Sequence, residues 1–121
     1  MGLRSYQRRV KEWVVACFPL TSAYDRNERS HRFLEEALEL AQASGCKEED
    51  AVALVRYVFS RPVGDIEQES GGVMVTLAAL SNAQDVDLEQ AAELELTRNW
   101  DRIEKIRAKQ AAKPLGSALP S

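Results

Sequence analysis

Only ten residues in the chain punctuate a backbone: prolines at 19, 62, 114 and 120, and glycines at 2, 45, 64, 71, 72 and 116. The stretches between them are long and uninterrupted, and blocks of that length favour helices over strands, which need frequent turns. Apolar spacing agrees. Tyr6, Val10, Trp13, Val14 and Phe18 recur near helical period from Arg4 to Phe18, and Pro19 ends that segment. Phe33, Leu34, Ala37, Leu38, Leu40 and Ala41 form a broad apolar face over about 30–44, with Gly45 where a glycine usually follows a helix. A third helix is predicted over 47–60, with Ala51, Leu54, Val55 and Val58 inward, stopping before Arg61-Pro62 because a residue preceding proline avoids the α region. A fourth is expected over 65–82. A fifth, the longest, starts near Asp87 with Leu88, Ala92, Leu96, Trp100 and Ile103 along one face.

Only Val73–Leu77, VMVTL, alternates like a strand, and its flanks read as helix. The expectation is an all-α fold, an antiparallel bundle of four to five helices that each bury one apolar face. At 121 residues the chain holds one domain, 1–112, followed by a Pro-, Gly- and Ser-rich tail, 113–121, expected to be mobile. No internal repeat is visible. Sixteen basic residues against nineteen acidic give a net charge of −3, unlike the basic excess of a dedicated nucleic-acid binder. Cys17 and Cys46 form no CxxC or Cys/His cluster and read as reduced core residues. No apolar run has the length of a membrane span and the start lacks a signal peptide's apolar stretch, so the expectation is a cytoplasmic protein without a membrane partner.

Charge is unevenly placed. From Glu35 to Glu69 nine carboxylates face only Lys47, Arg56 and Arg61, whereas Arg98, Arg102, Lys105, Arg107, Lys109 and Lys113 dominate the stretch after Arg98. An acidic middle suits a hard cation, and a basic helix end suits phosphates. At about 100° per residue, Glu35, Glu36 and Glu39 crowd an arc of about 100°. That strip is either outer surface or the rim of a site. Glu69 falls within about 40° of Val73 and Leu80, on the stripe expected to face the core, where a charge needs a partner: a basic side chain or a metal ion. Asp65 and Thr76 extend the same polar stripe. Gly71-Gly72 inside a helix costs about 1 kcal/mol per residue relative to alanine, which implies close approach by a bulky neighbour such as Trp100 or room for a ligand.

Two segments resemble a known family. RFLEEALELAQASG, Arg32 to Gly45, is similar to the first motif of the MazG-like all-α nucleoside triphosphate pyrophosphohydrolases, an EExxE on a helix, and QESGGVMVTLAAL, Gln68 to Leu80, resembles the second, ExxD. The wording is close to short phage and prophage members. The resemblance implies Mg²⁺, with Mn²⁺ as a substitute, bound by acidic side chains, and cleavage of a nucleoside triphosphate to a monophosphate and pyrophosphate. By position it implies Glu36, Glu39 and Glu69 as metal ligands, Glu35 and Glu36 in catalysis, and phosphate contacts from Asn99 and Arg102 of NWDR, with Arg98 and Lys105 beside them. Where the family has the aspartate of ExxD this chain has Gly72, and Asp65, four residues before Glu69, is the candidate replacement. His31 is a partly exposed residue that could touch the base.

Three functions compete on these residues: the pyrophosphohydrolase, a catalytically weak or inactive relative binding nucleotide or protein through the same bundle, and a DNA-binding module using the basic fifth helix. The last conflicts with the net charge. The wide apolar arcs, as on the second helix, also predict a homodimer or a dimer of dimers, and the resemblance points the same way.

Overall fold

The computed structural model describes residues 2–112. Among them lie seven helices and no strand: α1 (Leu3–Cys17), α2 (Leu20–Ala23), α3 (Arg26–Ala43), α4 (Glu48–Phe59), α5 (Ile66–Ala83), α6 (Leu88–Asp101) and α7 (Ile103–Ala112). The expected all-α class is therefore observed. The expected tail, 113–121, lies outside the described residues.

Local chemistry explains most boundaries. Pro19 interrupts the first block but does not end helical structure, because proline is tolerated at a helix start: it is the N-cap residue of the short α2, which the sequence reading did not separate. Asp25 then accepts hydrogen bonds from the Asn27 N–H (3.0 Å) and the Glu28 N–H (3.2 Å), so α3 begins four residues earlier than the apolar pattern suggests. The fifth helix is not the longest, since the block after Asp87 is two helices. Arg102 interrupts it, its N–H shared between the Arg98 and Asn99 carbonyls at 3.1 and 3.3 Å, and α3 and α5, at 18 residues each, are longer than either piece.

The described chain divides into two compact units. One comprises the residues up to Leu40 and those from Leu96 onward, and the other is Ala41–Glu95. The first holds the buried apolar cluster of Cys17, Phe18 and Ala23, with Trp13, Val14, Ile103 and Ile106 packed against it. Trp13 meets Phe18 edge-on at a centroid separation of 5.7 Å, and the Arg29 guanidinium lies 4.5 Å from the centre of the Phe18 ring. These aromatic contacts contribute on the order of 0.5–1.5 kcal/mol each beyond area burial. Arg107 of α7 donates from Nε (3.1 Å) and Nη2 to the Ala16 carbonyl, and Gln110 Nε2 donates to Ser22 Oγ at 3.0 Å. The arginine thereby satisfies a carbonyl of the last turn of α1, which has no partner within its own helix. Cys17 is buried as expected, and burial pushes its thiol pKa up even though Arg107 and Arg29 pull it down. Cys46 is only partly buried, in the corner before α4.

The second unit is different. Ser81, 6% exposed, is its one buried residue, and of the four α4 side chains expected to face inward only Ala51 is even partly covered. Leu54, Val55 and Val58 are exposed, and Phe59 is 84% exposed. On α5, Leu77 and Leu80 are partly covered while Ile66 and Val73, on the same stripe, stand in solvent. Helical periodicity located these apolar faces correctly, but within this unit they have little to pack against.

Candidate functional site

The first carboxylate motif sits mid-way along α3, in the first unit. Asp25 caps the helix start and no glycine or proline interrupts it until Gly45, so the backbone holds Glu35, Glu36 and Glu39 on adjacent turns of one face. Glu35 is half-buried and its Oε1 accepts from Arg32 Nη1 at 3.2 Å. Glu36 and Glu39 are exposed. Leu38 and Leu40, which border the strip, are exposed as well. The strip is thus accessible along the helix. Carboxylate oxygens are the hard donors that Mg²⁺ selects, and this cation retains part of its hydration shell when it binds them.

The second motif opens α5, in the second unit. Asp65 is the N-cap residue, with φ −89° and ψ 131°, and its Oδ2 accepts from the Gln68 N–H at 2.9 Å. Its carboxylate thus stabilises the helix start. The signal was legible: an aspartate three residues before a glutamine at the head of an apolar block is a capping pattern. Glu69 is exposed, which corrects the expectation of a buried charge on a core-facing stripe. The stripe is right, but nothing covers the first turns of α5 within its unit, so the charge stays in water and carries no burial cost. Its side chain folds back over Gly64, where an added Cβ would come within 3.1 Å of the carboxylate carbon. The two glycines are also exposed. Around Gly71 no atom lies within 4 Å of where a Cβ would be, and Gly72 would meet only Glu69 Oε1, at 4.0 Å. Within their own unit no bulky side chain approaches them, so nothing there accounts for the pair by packing.

The expected phosphate contacts lie around the α6–α7 break, in the first unit. Asn99 is half-buried; Arg98, Arg102 and Lys105 are exposed. Arg102 occupies the break itself, between the end of α6 and the start of α7. His31 is exposed on α3. The structure thus groups Glu35, Glu36 and Glu39 on one helix and Asn99, Arg98, Arg102 and Lys105 around one break, while Asp65 and Glu69 share the start of α5. Among the described residues no three His, Cys, Asp or Glu side chains form a group that could hold a metal ion. No described helix is long and apolar enough to cross a membrane.

Comparison with protein-family models, curated proteins and solved structures returned no match.

Proposed function

We propose that the chain is a Mg²⁺-dependent nucleoside triphosphate pyrophosphohydrolase, cleaving a ribo- or deoxyribonucleoside triphosphate to the monophosphate and pyrophosphate. The reading includes a cytoplasmic setting, Mn²⁺ as a substitute ion, and a homodimer or dimer of dimers of the MazG-like kind. The observation that carries it is the carboxylate strip of α3, where the half-buried Glu35 and the exposed Glu36 and Glu39 lie along one side of the helix. When bound, Mg²⁺ supplies an acidified water and neutralises charge on the bridging phosphates. The chain's part is binding and orientation. On α3, Glu36 and Glu39 offer hard oxygens to a cation, and Glu69 offers one at the start of α5. Glu35, held by Arg32 at 3.2 Å, keeps acceptor capacity on its second oxygen and accepts the proton of the attacking water. Arg98, Arg102 and Lys105 supply positive charge to the phosphates, and Asn99 supplies an amide donor.

A second reading, a nucleotide-binding or protein-interaction bundle with weak or no catalysis, is favoured by one specific observation. The carboxylate that could replace the one missing at Gly72, that of Asp65, already accepts a backbone hydrogen bond as a helix cap.

A panel of nucleoside triphosphates incubated with Mg²⁺ or Mn²⁺, scored for pyrophosphate, separates the two. The enzyme reading expects pyrophosphate and monophosphate together, lost at least tenfold in Glu39→Gln and in Glu69→Gln with helical content unchanged. Orthophosphate as the first product rejects the chemistry. Nucleotide binding without turnover across the panel selects the second reading.

A further inference from the structure

The α4 helix is apolar and uncovered, and its charges are arranged in an unusual way. At about 100° per residue, Val58, Ala51, Val55, Phe59 and Val52 occupy one stripe about 120° wide. All but Ala51 are exposed. Such a stripe repeats at heptad spacing: Val52 and Phe59 are seven apart, as are Ala51 and Val58. Along one edge of it, also seven residues apart, stand Glu49 and Arg56. They line a shallow open groove with Glu48, Val52 and Ala53.

Two residues at one heptad position with opposite charge are complementary to each other only when a second helix runs the opposite way. In a parallel pair equivalent edges lie on opposite sides of the seam, so this edge would face Ala51 and Val58 of the second copy and neither charge would meet its opposite. In an antiparallel pair centred near Val52 and Ala53, Glu49 of one copy meets Arg56 of the other, and the two-fold axis repeats the contact. The ends of the helix agree. Its first turn carries Glu48, Glu49 and Asp50 and its last turn Arg56, with Arg61 just beyond, so reversing one copy places acid against base at both ends.

We infer that α4 is a self-association surface: it packs antiparallel against α4 of a second copy of this chain, with Val52, Val55 and Phe59 in the seam and reciprocal Glu49–Arg56 pairs along its edge. This goes beyond the oligomeric state by fixing the face, the direction and the register. It does not depend on the proposed activity, so a dimer without turnover leaves it intact.

Sedimentation equilibrium on the full chain tests it through a charge swap. The parent chain is expected to be at least dimeric at micromolar concentration. Glu49→Arg and Arg56→Glu, each replacing two attractions by two repulsions, should each weaken the α4-mediated step by about tenfold. The double variant should recover affinity to within about threefold of the parent. Both positions are exposed, so the swaps leave the fold of the chain intact, which far-UV circular dichroism checks. Phe59→Asp should abolish the association. A parent chain that stays monomeric overturns the inference and assigns the α4 face to another partner. Single variants that associate like the parent, or a double variant no tighter than the singles, overturn the antiparallel register.

Discussion

Asp65 is where a structural and a catalytic role can be told apart by one atom. Its Oδ2 accepts from the Gln68 N–H at 2.9 Å, and replacing it with alanine removes that acceptor and the charge together. Loss of an N-cap acceptor costs about 1 kcal/mol. Loss of a negative charge at a helix N-terminus adds about 0.3–1 kcal/mol, and the low end applies because Glu67 and Glu69 already place charge in the same turn. Asp65→Ala should therefore destabilise the chain by about 1.3 kcal/mol. Asparagine caps as well as aspartate, so Asp65→Asn should cost only the charge, about 0.3 kcal/mol. Urea unfolding followed by far-UV circular dichroism reads both values, and calorimetric titration with Mg²⁺ reads the other role. If the side chain only caps, both variants bind Mg²⁺ within about twofold of the parent. A stable Asp65→Asn protein whose Mg²⁺ affinity falls tenfold or more would refute this reasoning and make the carboxylate a ligand. An Asp65→Ala protein as stable as the parent would refute the cap.

Gly71→Ala should stabilise α5 by about 1 kcal/mol, read as a higher urea midpoint, because the position is helical and the new methyl meets nothing within 4 Å. At the neighbouring position a Cβ meets only Glu69 Oε1, at 4.0 Å, and under the proposed function the carboxylate of Gly72→Asp, one turn after Glu69, should tighten Mg²⁺ and raise pyrophosphate release. Cys17 gives a pH dependence. Its thiol pKa is raised in the folded chain by burial, so the unfolded chain ionises first as pH climbs. The contribution is intact below the ordinary thiol pKa of 9.0 and is lost as pH rises from there through the folded value. Stability of the parent should fall across that alkaline range more steeply than that of Cys17→Ala, as urea midpoints at successive pH values will show.

Helix existence was legible in the sequence because it is a local property. Sparse proline and glycine, and apolar residues at three and four apart, located α1, α3, α4 and α5 to within four residues at either end. The Arg102 break was not legible, since Leu96, Trp100 and Ile103 keep a helical rhythm through it and no proline or glycine marks it. Burial was legible only in part. Cys17 and Phe18 are buried as their apolar surroundings suggest, whereas Val55, Val58, Val73 and Glu69 are exposed although their angular positions say otherwise. Periodicity reports which side of a helix is apolar and is silent on what covers it. The carboxylate strip of α3 was readable because three glutamates within five residues need only helical geometry to share a face. The capping role of Asp65 was readable from Gln68 three residues on, whereas the exposure of Glu69 depended on what covers the start of α5, which the sequence does not state.

The corners between α3 and α4 and between α5 and α6 are built alike from unrelated residues. Each has four residues between its helices, 44–47 and 84–87. Cys46 N–H donates to the Ala41 carbonyl as Val86 N–H does to Ser81, at 2.9 Å in both, and the residue just before, Gly45 or Asp85, takes a positive φ of 95° or 55°. The first corner uses glycine, which accepts that conformation freely; the second uses aspartate, which tolerates it better than most side chains. A loop this short costs little entropy to close, and its hydrogen bonds are satisfied by its own helix end. Each corner can therefore form before any distant part of the chain arrives, so the early steps of folding depend on nearest neighbours in sequence, the condition under which chains fold fast.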